Sequence, residues 1–196
     1  MSLESSLIKE VISNKKEAKE ALYDRYAPLL LGICIRYCGN RHDAEDVLHD
    51  AFIKILSGIH RFVEQPNSSF EGWLRRIAVN TALNFIRERS RKKKIIEDNS
   101  FSDNLPYEDD ETDDSFAEMI SLLGKDEIMQ MICELPAGYR TVFNLYVFED
   151  YSHKEITKVL NCTENTSKSQ LFKARGILKK RILELTNNQL IQNEKQ

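Results

Sequence analysis

The sequence predicts an all-α protein: two small helical domains joined by a flexible acidic linker, the second containing a helix-turn-helix. Three observations carry this. Apolar residues recur at three- and four-residue spacing along most of the chain. Gly and Pro number only 7 and 4 in 196 residues, too few for the turns and phosphate-cradling loops of a sandwich, a barrel or a nucleotide-binding sheet. Residues 97–118 hold acidic side chains and no Lys or Arg, and they divide two basic segments.

Hydrophobic residues are 41% and charged residues 30% of the chain, enough for a core beneath a heavily solvated surface. No apolar run approaches the ~18 residues of a membrane span. The N-terminal stretch has no apolar core behind a basic start, so it does not read as a secretory signal. Four cysteines make no disulfide framework in a chain this long. The expectation is a soluble, cytoplasmic protein with free thiols and no membrane insertion.

The net charge of −3 conceals a segmental pattern. Residues 70–95 carry Arg75, Arg76, Arg87, Arg89, Arg91, Lys92, Lys93 and Lys94 against Glu71 and Glu88. Residues 152–181 are similarly basic, with Lys154, Lys158, Lys168, Lys173, Arg175, Lys179, Lys180 and Arg181. Two basic patches suit a polyanion, whatever the overall balance. The acidic segment reads as a solvated linker; a sharper reading has its carboxylates shielding the basic patches in the free protein. The expected domains are 1–96 and 119–196, with the linker at 97–118.

The first domain begins with a helix from Asn14 to Cys38, striped by Ala18, Leu22, Tyr26, Leu30, Ile33 and Tyr37. Pro28 is expected to kink or split it, and Gly39-Asn40 to close it. A second helix, Asp43 to Ile59, buries Ala44, Val47, Leu48, Ala51, Phe52, Ile55, Leu56 and Ile59. Its other face holds Asp43, Asp46, Asp50 and Lys54 beside Ile53. Charges alone are a solvated face, but an apolar Ile53 among them suits a protein contact.

A loop, 58–69, leads to a third helix, with Ser68 and Glu71 at capping-box spacing. Phe62, Phe70 and Trp73 lie on or beside the loop, and Arg76, Asn80, Asn84 and Arg87 follow at helical spacing. Arg and Asn on one stripe beside aromatics suit a surface that holds phosphates and stacks on an unpaired base. Core packing is the other reading for Phe70 and Trp73.

The second domain starts near Ser115, with Glu118 at capping distance and a helix through Met119, Leu122, Leu123, Ile128 and Met131. Pro136 suits the first turn of the next helix, which holds Tyr139, Val142, Phe143, Tyr146 and Val147. Ser152 and Glu155 form a capping box for a short helix ending at Leu160. Asn161 suits a left-handed turn, and a basic helix opens at Glu164: a helix-turn-helix. Leu171, Ala174 and Leu178 face inward, leaving Thr166, Lys168, Ser169, Gln170, Phe172 and Lys173 outside, with Lys179 and Lys180 further along.

Other chemistry is weaker. Cys34, Cys38 and His42 step by four and could be imagined as metal ligands, but a packed thiol stripe is the better reading. His49 and His153 have no Ser or Cys at a recognisable triad spacing. Neither a cofactor, a metal site nor a catalytic constellation is expected, so the protein is not read as an enzyme.

The two halves together resemble the sigma factors of bacterial RNA polymerase, specifically the small extracytoplasmic-function (ECF) group. DAEDVLHDAFIKIL (43–56) looks like the group's polymerase-docking helix. FEGWLRRIAVNTALNFIRERSRKK (70–93) is similar to its minus-ten reading and strand-opening helix. LPAGYRTVFNLYVFEDYSHKEIT (135–157) with CTENTSKSQLFKARGILKK (162–180) is similar to its minus-thirty-five domain. Asn165 and Ser167 depart from the usual pattern, where Gly and a small apolar residue are common.

The resemblance implies core RNA polymerase and promoter DNA as partners, and an anti-sigma factor as the regulator such proteins often have. It assigns Asp43, Asp46, Asp50 and Ile53 to the polymerase. Phe62, Phe70, Trp73, Arg76, Asn80, Asn84 and Arg87 go to the minus-ten element. Thr166, Lys168, Ser169, Gln170, Phe172, Lys173, Lys179 and Lys180 go to the minus-thirty-five element. The alternative is a helix-turn-helix regulator whose N-terminal half senses a ligand or dimerises. The helix at 43–59 joined to the aromatic and basic helix at 70–94 separates the two, since a regulator needs neither a polymerase dock nor a strand-opening surface.

Overall fold

Local capping chemistry sets several of the helix ends in the computed structural model, which describes residues 3–62, 69–96 and 124–193. Among these residues there are eight α-helices, one short 3-10 turn and no strand. The chain divides into two compact units, Met1–Glu97 and Asp98–Gln196.

In the first unit, α1 spans Leu3–Ile12, α2 Lys16–Cys38, α3 Arg41–Gly58 and α4 Phe70–Ile96, with a 3-10 turn at Ile59–Arg61. Helix α1 is not among the expected elements. The turn after it passes through Asn14, which takes a left-handed backbone (φ 63), and the helix buries Ile8 and Val11. The Tyr26 hydroxyl ties it to α2 by donating to Glu4 Oε1 at 2.7 Å. Burial first, then the nearby carboxylate, pushes the Tyr26 hydroxyl up to about 12.

Of the kink or split expected at Pro28, the split does not occur: α2 runs through it unbroken. Pro28 and Asp24 are both exposed, so water can serve the Asp24 carbonyl that the missing N–H would have bonded. Beyond the proline, Leu30, Ile33, Cys34 and Tyr37 are buried, and their packing holds the remaining turns. Gly39 then ends the helix at φ 79, its N–H donating to the Ile35 carbonyl at 2.8 Å. Asn40 starts the next: its side-chain oxygen accepts from the Asp43 N–H at 2.9 Å. Helix α3 buries Ala44, Val47, Leu48, Ala51, Phe52 and Ile55, while Leu56 is half-buried. Leu74, Ala78, Val79, Ala82 and Leu83 of α4 complete the core, each large aliphatic burial being worth about 1.5–3 kcal/mol.

The expected cap Ser68 lies outside the described residues. The observed cap of α4 is Ser69, whose hydroxyl accepts from the Gly72 N–H at 2.9 Å. Glu71 accepts from Arg75 at 2.8 Å. The Glu71–Arg75 contact is an i,i+4 ion pair on the surface of α4.

The second unit holds α5 (Lys125–Cys133), α6 (Ala137–Val147), α7 (His153–Leu160) and α8 (Glu164–Asn193). Ser115, Glu118, Met119, Leu122, Leu123 and the linker 97–118 lie outside the described residues. Pro136 sits at the cap of α6, one residue before its first turn. The buried Arg140 guanidinium fixes the bend from α5 to α6, donating to the carbonyls of Cys133 (2.7 Å) and Leu135 (2.9 Å). Arg181 fastens α8 to the end of α5 through Glu134 Oε2 at 2.8 Å. Ile132, Leu135, Val142, Phe143, Leu145, Ile156, Leu171, Ala174, Leu178 and Ile182 form the core. None of the described helices is long and apolar enough to cross a membrane.

Candidate polymerase and nucleic-acid interfaces

On α3 the expected acidic face divides in two. Asp46, Asp50 and Ile53 are exposed, Ile53 at 54%. Tyr23 of α2 extends this patch: it is exposed and its ring packs on Phe52 at 4.7 Å. The sequence reading missed Tyr23, because it falls off the stripe that α2 buries. Asp43 faces elsewhere. Its carboxylate accepts from Asn40 Nδ2 at 2.7 Å and pairs with Arg89 of α4. The Asn40 bond above all, with Arg89 adding to it, holds that carboxyl below the usual range against the opposing effect of burial. Lys54 also leaves the outer face, donating to Thr81 Oγ1 of α4 at 3.2 Å.

The aromatics and the polar stripe of α4 meet at its first two turns. Phe70 is 2% exposed, so the expectation that it touches DNA is corrected: it is the floor of a cluster. Phe62 lies edge-on to it at 5.2 Å, Trp73 stacks on it at 5.7 Å, and Tyr26 approaches edge-on at 5.8 Å. Phe62 and Trp73 are half-buried and form the accessible rim. Gly58 closes the cluster from α3, where a Cβ would stand 3.5 Å from the indole. From this rim Arg76, Asn80, Asn84 and Arg87 run along α4, all exposed. At 1.5 Å rise per residue the stripe is about 16 Å long, the reach of several nucleotides. Arg87 donates to Asn84 Oδ1 at 2.8 Å, which orients both side chains outward. Arg75 is drawn off by Glu71 and is not part of the stripe.

In the second unit the turn has the expected geometry. Ser152 and Glu155 cap α7 reciprocally, with the Ser152 N–H donating to Glu155 Oε2 at 2.9 Å and the Glu155 N–H to Ser152 Oγ at 3.3 Å. The Ser152 hydroxyl, donating to Glu155 Oε2 at 2.6 Å, and then the Ser152 N–H hold the Glu155 carboxyl below its usual range. Asn161 takes φ 52 and ψ 49. Thr163 caps α8, accepting from the Thr166 N–H at 3.1 Å. Leu171, Ala174 and Leu178 are buried against the rest of the unit. Thr166, Lys168, Ser169, Gln170, Lys173 and Lys179 are half-buried, while Phe172 (51%) and Lys180 are exposed. Thr166 is partly committed to the cap through Thr163 at 2.8 Å. Lys173 Nζ lies 5.8 Å from the centre of the Tyr139 ring, a contact that places its cation.

The thiols follow the packing reading. Cys34 and Cys38 are buried while His42 is exposed, and burial pushes the Cys34 thiol up to about 12. Among the described residues, no three His, Cys, Asp or Glu side chains are grouped to hold a metal.

A basic helix-turn-helix and a separate aromatic, Arg- and Asn-lined helix in one chain match two known family patterns. Sigma-70 region 2 matches residues 22–92, and Sigma-70, region 4 matches residues 125–178. The chain belongs to the sigma-70 family. Among its relatives, the RNA polymerase sigma-H factor of Pseudomonas aeruginosa is 31% identical over 181 residues, covering 90% of this chain and 92% of that one. The ECF RNA polymerase sigma factor SigW of Bacillus subtilis is 31% identical over 181 residues, covering 91% and 96%. The ECF RNA polymerase sigma-E factor of Haemophilus influenzae is 29% identical over 182 residues, covering 91% and 95%. These relatives place the sigma factor in the ECF group. It is therefore a transcription initiation factor, of the kind that directs core RNA polymerase to promoters. In that setting the region 2 match takes in α3 with its outer acids and α4 with its stripe, and the region 4 match ends at Leu178. Helix α8 runs on past it to Asn193.

Proposed function

We propose that this sigma factor divides its work among three surfaces. The outer face of α3, with Asp46, Asp50 and Ile53, and Tyr23 beside it, docks on core polymerase. Asp43 contributes indirectly, by fixing α3 against α4. The outer face of α8 enters the major groove of the minus-thirty-five duplex, where Ser169, Gln170, Phe172 and Lys173 meet base edges and Lys179 and Lys180 meet phosphates. The rim of Phe62 and Trp73, continued by Arg76, Asn80, Asn84 and Arg87, receives the minus-ten strand as it unstacks.

The observation that carries this reading is the unbroken exposed stripe of α4 leading away from an aromatic rim. Guanidinium and amide groups can hold a phosphate backbone while the rings supply a stacking surface. A ligand-sensing or dimerisation domain has no use for that combination. Strand opening draws on contacts across the holoenzyme, and no step calls for catalysis by this chain. The protein acts in the cytoplasm, and an anti-sigma factor fits as the partner that withholds it from polymerase.

Run-off transcription from genomic fragments tests the whole reading. Core polymerase plus this chain should yield discrete transcripts that core alone does not. DNA binding by the free chain with no polymerase-dependent transcript on any fragment would favour the regulator instead.

A further inference from the structure

We infer that His153 is a positioning residue for promoter discrimination, acting through Ser167 to set the seating of the entering end of α8; this rests on the assignment of the outer face of α8 to base reading.

Ser167 lies in the first turn and a half of α8 and is 0% exposed. A buried hydroxyl without a partner is costly, and the partner here comes from the other helix of the motif: His153 Nδ1 lies 2.9 Å from Ser167 Oγ. Either atom can supply the proton, according to the imidazole tautomer. His153 is itself held from two sides. It is the first residue of α7, directly after the cap residue Ser152 and within the Ser152–Glu155 capping box. Its ring stacks on Tyr146 of α6, with centroids 4.8 Å apart and planes 27° apart. The imidazole is thus a fixed post built by α6 and α7, and Ser167 is the point at which α8 is tied to it.

The next inward residues of α8, Leu171 and Ala174, are apolar and buried, as is Ile156 of α7. Apolar packing is non-directional and tolerates small slides and rotations, whereas a hydrogen bond weakens steeply off its axis. Ser167 stands between Thr166 and Lys168 and one turn before Gln170. Rotation of α8 about its axis at this point moves those side chains across the base edges. Base-specific contacts need placement to about 0.5 Å, so the polar tie bears on which sequence is preferred more than on whether DNA is bound.

The test uses holoenzyme reconstituted from core polymerase and the full chain. Binding is measured on promoter fragments with the cognate minus-thirty-five element and with single-pair variants of it, at several salt concentrations. Ser167→Ala removes the hydroxyl with little change of volume. His153→Phe keeps the stacking on Tyr146 but removes the ring nitrogen, and His153→Asn returns a hydrogen-bonding group at the reach of Nδ1. Ser167→Ala and His153→Phe should each reduce the cognate-to-variant ratio by about fivefold, the worth of one neutral hydrogen bond. The double variant should lose no more than either single one, His153→Asn should keep the ratio near wild type, and the salt slope should not move. A lowered melting temperature with an unchanged ratio would make the pair a structural brace only and overturn the inference. So would a double variant whose loss is the product of the two single losses. Gln170→Ala run alongside separates the two levels: if it lowers the ratio and Ser167→Ala does not, positioning alone fails, and if neither does, base reading by this face fails and positioning with it.

Discussion

Asp43, in the first turn of α3, forms an ion pair with Arg89, 46 positions later near the far end of α4. The pair fastens the helix proposed to meet polymerase to the helix proposed to meet the melted strand. It also withdraws one carboxylate from the α3 surface, leaving Asp46 and Asp50 as the outward members of the three aspartates.

The titration of Asp43 makes this testable. Its folded carboxyl titrates below the ordinary value, so its stabilising contribution is complete above the unfolded value of about 3.9 and is lost as pH falls through the folded one. Asp43→Asn should destabilise the first unit by about 0.5–1 kcal/mol, since Arg89 is well exposed and solvent screens the pair. The gap between variant and wild type should be constant from about pH 7 to 5 and close below about pH 4. Thermal unfolding across that range measures it, and a gap that persists in acid would assign the effect to packing.

Asp46→Arg with Asp50→Arg should weaken assembly with core polymerase while leaving helical content unchanged, because both side chains point away from the buried stripe of α3. Co-elution on gel filtration and circular dichroism measure the two effects. Unchanged assembly would show that this face is not the dock.

Phe70 and Asn80 should behave oppositely. Phe70→Ala empties the floor of the aromatic cluster and should cost about 3–5 kcal/mol of stability. Asn80→Ala, at an exposed site, should leave stability within about 0.5 kcal/mol and slow promoter opening. Melting temperature and permanganate reactivity of minus-ten thymines separate the two. Normal opening with Asn80→Ala would remove it from the strand-contacting surface.

Lys180→Ala should weaken all promoters alike and lower the salt slope by about 0.9 for the lost phosphate contact. Gln170→Ala should cost about 1–3 kcal/mol on the cognate minus-thirty-five element and less on variants altered at the contacted pair. Leu171→Ala serves as a packing control and should destabilise the second unit without shifting preference. A uniform loss across the base variants with Gln170→Ala would place that side chain on the backbone.

If the acidic linker covers the basic faces, replacing Glu108, Asp109, Asp110, Glu111, Asp113 and Asp114 with amides should raise DNA binding by the free chain at low salt. The gain should fade as ionic strength approaches physiological, where screening acts within about 8 Å. Equal affinities at low salt would leave a plain solvated linker.

The helix-turn-helix was legible from sequence because its signals are local: a serine and a glutamate three apart, an asparagine that tolerates φ 52, a new helix at Glu164. Each of these acts within one turn of chain, so no distant residue can override it. The buried stripe of α3 was legible for a related reason: its period of 3.6 places Ala44, Val47, Ala51 and Ile55 on one side wherever the helix packs. The outward stripe of α4, from Arg76 to Arg87, followed from the same period.

Other features depended on residues that meet only after folding. Periodicity could place Phe70 beside Trp73, but its burial depends on Tyr26 and Phe62 arriving from other parts of the chain. Spacing could put Asp43 with Asp46 and Asp50, but the arrival of Arg89 turned it inward. Pro28 reads locally as a break, and downstream packing of Leu30, Ile33 and Tyr37 kept α2 whole. Ser167 reads as a small deviation in a recognition helix, and only the meeting of α7 with α8 supplied its partner in His153. Sequence alone thus determined the helix-turn-helix, its Ser152 cap and the two-sided patterning of α3 and α4, because those depend on neighbours within a turn or two. Tertiary structure decided which polar groups are paired and which rings are covered, because both depend on contacts between residues far apart in the chain.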